Sequence, residues 1–111
     1  MTDTKNDCID SMTRALEKAA IWRRTLAVRF PGDVRNLRAA AILQTLASEV
    51  ANIRDDQWQT LSQHFHWSSE RWQTALNDTV RAVGFHIRAG KLDAFLNALL
   101  QRLTLTVGAA A

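Results

Sequence analysis

The side chains with chemical potential are few: one cysteine, Cys8, and three histidines, His64, His66 and His86. His64-x-His66 invites a metal reading, but residues two apart diverge at a helix end. No Cys, Asp or Glu is spaced nearby to complete a tetrahedral set. Ordinary capping or surface histidines, and no stoichiometric metal, are expected. Nucleophilic catalysis needs a Ser or Cys beside a base oriented by a third group, and no local signature of that arrangement is present. Gly32, Gly84, Gly90 and Gly108 are scattered and form neither GxG nor GxxxxGK, so nothing marks a phosphate cradle or a nucleotide cofactor. The expectation is a non-enzymatic protein with no cofactor and no small-molecule ligand.

The stretch Leu61-Ser62-Gln63-His64-Phe65-His66-Trp67-Ser68-Ser69-Glu70-Arg71-Trp72 carries a patterned motif. It resembles the bacterial helix-turn-helix, with Leu61, Ser62, Phe65, Trp67, Ser68 and Trp72 matching in type and His66 standing where glycine is usual. The resemblance implies DNA binding through residues 57–77, with Ser69, Arg71, Gln73, Thr74 and Asn77 as the outward residues of a recognition helix. Glu70 and Asp78 on the same segment oppose a phosphate backbone. On this reading Arg71 should matter more than Arg14.

A chain of 111 residues has the length of one domain and can bury one hydrophobic core without staples. A single domain over 1–111 is expected, with frayed ends at about 1–6 and 105–111. The composition, rich in Ala, Leu and Arg with one proline and no tyrosine, starves the turns an all-β fold needs, so the class is all-α. No apolar run approaches the ~20 residues of a membrane span, and no membrane partner is expected. A lone cysteine forms no internal disulfide, which points to a reducing cytoplasm.

Hydrophobic periodicity organises the chain into about five helices around a central one, residues 34–53, in which Ala39 to Leu43 and then Leu46, Ala47, Val50, Ala51 and Ile53 sweep half the circumference. Burial on two sides of this helix is expected. The first helix should begin near Asp7 or Asp10 and run to about Arg29, with Cys8, Met12, Ala15, Leu16, Ala19, Trp22, Leu26 and Phe30 on its apolar face. Arg23 projects into that face, its stem packing while its guanidinium reaches a carboxylate or a helix edge. Phe30-Pro31-Gly32-Asp33 breaks the helix, with Gly32 free to take a positive φ and Asp33 placed as the next cap, which makes the first two helices an antiparallel hairpin.

A short third helix is expected from a cap at Asp55-Asp56, with Gln59 completing a capping box and Trp58, Leu61 and Phe65 on one side. A fourth, capped at Ser68 with a Trp67–Trp72 staple, turns Trp72, Leu76, Val80 and Val83 inward and stops at Gly84. Phe85 to Ala89 form a connector, and a fifth helix runs from about Lys91 to Leu103.

The net charge of +3 is unevenly spread: residues 14–38 hold seven basic side chains against Glu17 and Asp33, a net +5 that leaves −2 for the remainder. Within this basic hairpin Ile21 and Val28 stand one above the other, two turns apart, outside the face that the hairpin needs. Thr25 lies between them, with Arg14, Lys18, Arg24 and Arg29 around them. A strip of this kind is the shape of a small helix-mediated interface. Ile21, Arg24, Thr25 and Val28 are therefore the candidate protein interface, for a second copy of the chain or for an acidic partner.

Overall fold

The computed structural model describes residues 4–63, 70–83 and 92–110, and within them five helices: α1 Thr4–Arg29, α2 Arg35–Val50, α3 Asp55–Ser62, α4 Glu70–Ala82 and α5 Leu92–Ala110. The all-α class holds. α1 and α2 pair as the expected hairpin, α4 packs on α1 and α5, and α5 also touches α2 and α3. The expected features at His64, Phe65, His66, Trp67, Ser68 and Ser69, and those from Gly84 to Lys91, fall outside the described residues.

α1 begins at Thr4, earlier than Asp7, and its acidic first turn and basic last turn, Asp7 and Arg29, suit the helix dipole. Its buried residues are Cys8, Met12, Leu16 and Ala20, continued at the other end by Arg23. Trp22 and Phe30, expected on this face, are instead exposed, and Leu26 is half-buried. The arginine takes the inward position because α4 ends beside it. Arg23 Nη2 donates to the carbonyl of Arg81 in the last turn of α4 at 3.4 Å, and Nη1 to Asn36 Oδ1 on α2 at 3.2 Å. The guanidinium thus meets a helix edge, supplying a donor where α4's last carbonyls lack intrahelical partners.

The hairpin turn closes through the Asp33 amide donating to the Phe30 carbonyl at 3.0 Å. Gly32 does not take the left-handed φ expected of it, and a Cβ there would meet nothing. The residue before α2 is Val34, and the Asp33 carboxylate accepts from the Arg35 amide at 3.1 Å from one position further out. α2 stops at Val50, three residues short of the expected end, and buries one stripe: Asn36, Ala39, Ala40, Leu43, Leu46, Ala47 and Val50. At about 100° per residue this stripe covers roughly 120°, narrower than the expected half-circumference. Ala41 and Ala51 lie outside it, exposed, and Ile42 at its margin is half-buried. Ile53, in the turn beyond α2, is buried.

At the start of α3 the N-cap is Arg54, one residue before the expected Asp55-Asp56, and the Gln57 Oε1 accepts from the Arg54 amide at 3.0 Å, two residues before the expected Gln59. Gln57 Nε2 also donates to Asp93 Oδ1 on α5 at 2.5 Å, and Lys5 pairs with Asp55 at 2.7 Å, so α3 is tied at its first turn to both α5 and α1. Leu61 is buried and Trp58 half-buried. Trp72, Leu76, Val80 and Val83 face inward as expected, and Phe95, Leu96, Leu99 and Leu103 of α5 meet them in one core cluster. α5 continues as helix to Ala110, past the expected Leu103.

Candidate protein interface

The outer side of the hairpin consists of two exposed stripes. On α1, Ile21, Arg24 and Val28 lie at intervals of three and four residues; on α2, Leu37, Ala41, Gln44 and Ser48 lie at intervals of four, three and four. Each set is one helix face, and every one of these side chains is exposed. Arg24 Nη2 donates across the hairpin to Gln44 Oε1 at 2.7 Å, so the two stripes adjoin. With the chain reversing at Phe30–Asp33, and with Arg23 reaching Asn36 while Arg24 reaches Gln44, Val28 falls roughly level with Leu37, and Ile21 roughly level with Ala41 and Gln44. Thr25 turns its hydroxyl back to the Ile21 carbonyl at 3.0 Å, which leaves its methyl group for the surface.

All four expected interface residues, Ile21, Arg24, Thr25 and Val28, are thus solvent-facing and together. Ile21 is 61% exposed and Val28 82%. Sequence reasoning missed the α2 half, with Leu37 59% exposed. The available signal was phase: Leu37 and Ala41 lie about 100° or more around the helix from Leu43, while Leu46 and Val50 lie within about 60° of it. Trp22, Phe30 and Val34 add exposed apolar surface at the turn end of the hairpin.

Around this surface the charge is basic. Arg14, Lys18, Arg24, Arg29, Arg35 and Arg38 are all exposed. Asp33 is engaged by Arg35, whose Nη2 and Nε lie 2.8 Å from the two carboxylate oxygens. Those hydrogen bonds hold the Asp33 carboxyl at about 2, below its ordinary 3.8, and raise the Arg35 guanidinium in turn. Asp33 therefore neutralises the arginine beside it and little else.

The residues of the DNA-binding reading separate into two groups. Arg71, Gln73, Thr74 and Asn77 are all exposed, and Ser69 is outside the described residues. Gln73 borders a groove of about 450 Å³ with Arg14 and Lys18 of α1, and Asn77 a groove of about 470 Å³ with Lys18, Trp22 and Arg81. Arg71 borders neither. Asp7 and Asp10 close the far end of the first groove. Among the described residues α3 packs chiefly on α5, whereas a helix-turn-helix packs its two helices on each other.

Cys8 is buried, and burial pushes its thiol up to about 12, so the thiolate that would make it a nucleophile or ligand is suppressed. Among the described residues no three His, Cys, Asp or Glu side chains gather as a metal site. No helix among them is long and apolar enough to cross a membrane. Comparison with known proteins adds no relative: no family model, no curated protein and no solved structure matches the chain.

Proposed function

We propose that this chain is a non-enzymatic interaction module that binds another protein through the outer face of the α1–α2 hairpin. The observation that carries the reading is the adjacency of Ile21 and Val28 on one helix with Leu37 and Ala41 on the other, all exposed. Single exposed apolar residues are ordinary, but two adjoining stripes inside a basic rim form a surface of the kind proteins dock on. Substituting Ile21→Glu together with Val28→Glu places charges where a partner would strip their water. The double variant should keep the wild-type helical circular-dichroism spectrum and lose association. Sedimentation at micromolar concentration and co-purification from the host measure this. A wild-type chain that stays strictly monomeric and brings down nothing defeats the proposal, as does a double variant that unfolds.

A second reading, DNA binding, is supported by one observation: Gln73 and Asn77 border the same grooves as Arg14 and Lys18. Phosphates would meet the α1 cations while the α4 amides face base edges. Arg14→Ala should then weaken binding more than Arg71→Ala, the reverse of the order a recognition helix implies. Fluorescence anisotropy with duplex DNA at low and moderate salt tests it, since phosphate contacts weaken steeply with salt. No binding at low salt removes this reading.

A further inference from the structure

Resting on the docking reading above, we infer that the occupant of the hairpin face is an acidic amphipathic helix from another protein and not a second copy of this chain. Size is the first argument. Leu37 to Ser48 spans about 17 Å along α2, and two helices at ordinary packing distance with their flanks make the face about 20 Å wide. Taken flat, the footprint is roughly 340 Å², and even allowing for its side-chain relief it is smaller than the ~800 Å² of accessible surface per partner of a standard stable interface. A helix of about three turns, laid along the seam between α1 and α2, covers it.

Charge is the second argument. Arg14, Lys18 and Arg29 flank the face on α1, Arg38 flanks it on α2, and Arg24 sits within it, tied to Gln44. Glu17 and, one turn beyond Arg14, Asp10 are the exposed acids on that side of α1, outnumbered by the five cations, and Asp33 is already held by Arg35. A two-fold copy would bring two such basic rims together, whereas Asp and Glu on the flanks of a docking helix meet them with opposite sign. The floor of Ile21, Val28, Leu37 and Ala41 requires apolar residues on that helix at i, i+3 or i+4, and i+7. Ala41 is the small member and leaves room for the largest of them.

Three synthetic helical peptides with one shared apolar stripe, flanked by Glu, by Gln or by Lys, test this against the full chain by fluorescence anisotropy. The Glu-flanked peptide should bind about tenfold or more tighter than the Gln-flanked one, as expected when several exposed pairs each add a little. The Lys-flanked peptide should bind weakest, and added salt should shrink the differences. A chain carrying Arg14→Glu, Lys18→Glu and Arg29→Glu, all at exposed positions, should invert the order. Ile21→Glu with Val28→Glu should abolish binding of all three. Equal binding of the Glu- and Gln-flanked peptides overturns the acidic partner while leaving the docking face standing. No peptide binding, with sedimentation as a dimer that the Ile21 and Val28 substitutions dissociate, overturns it in favour of a second copy. No peptide binding by a monomer overturns both readings.

Discussion

Asp33 sets how the hairpin turn responds to acid. Its carboxylate accepts from the Arg35 amide at 3.1 Å and from the Arg35 guanidinium at 2.8 Å. These bonds favour the ionised form, so the folded carboxyl titrates at about 2 instead of 3.8. Because the folded value is depressed, its contribution to stability is fully present above about 4 and is lost as the pH falls through about 2. Asp56 is lowered in the same direction by Arg54, and its loss adds to the acid response. Asp33→Asn should lower the urea midpoint at neutral pH, and the difference from the wild type should vanish toward pH 2. An equal difference at both pH values would mean that the introduced amide, and not the loss of the charge, weakens the turn. Asp33 was legible as a helix-start residue, but the arginine two positions on that takes both its oxygens was not, since that pairing depends on rotamers.

Arg23 shows at the level of elements what periodicity conveys and what it omits. Counting along α1 puts Arg23, Trp22, Leu26 and Phe30 near the same side, and pattern alone favours burying the apolar ones. The structure buries Arg23 and leaves Trp22 and Phe30 exposed, because coverage depends on where α4 ends. Its guanidinium joins three helices, bonding Asn36 of α2 and the Arg81 carbonyl of α4. Burial lowers its pKa, with Arg35 adding in the same direction and Asp33 opposing. Arg23→Ala strips the buried Asn36 carbonyl and the end of α4 of a donor and should cost about 1–3 kcal/mol in urea unfolding. Arg23→Lys should recover only part of this, because an ammonium lacks the fork that reaches both acceptors. A loss within error for Arg23→Ala would show that the arginine fills space without joining the helices. The inward residues Trp72, Leu76, Val80 and Val83 are legible because α4 has one narrow stripe, whereas of the α3 residues Leu61 is buried, Trp58 is half-buried and Phe65 lies outside the described residues. α2 does pack against both α1 and α5, but its apolar sweep reads wider than its buried stripe, since an apolar residue facing solvent has the same hydropathy as one facing the core.

Among the described residues, all five helices contribute to one core cluster that includes Met12, Leu43, Leu61, Leu76 and Leu99, each essentially inaccessible. Such a core should make the domain unfold as a unit. Leu43 and Leu37 lie on the same helix and undergo the same chemical change on substitution by alanine, yet one is fully buried and the other 59% exposed. Leu43→Ala opens a cavity at the centre of that cluster and should cost roughly 2–5 kcal/mol. Leu37→Ala removes surface that water already reaches and should fall within about 0.5 kcal/mol of the wild type. Urea unfolding monitored by circular dichroism separates the two. Leu37→Ala should also weaken the Glu-flanked peptide, while Leu43→Ala should leave its binding intact wherever the variant is still folded. The reverse assignment, with Leu37 carrying stability and Leu43 carrying binding, would mean that the outer stripe of α2 belongs to the core and that the hairpin has no free face to offer.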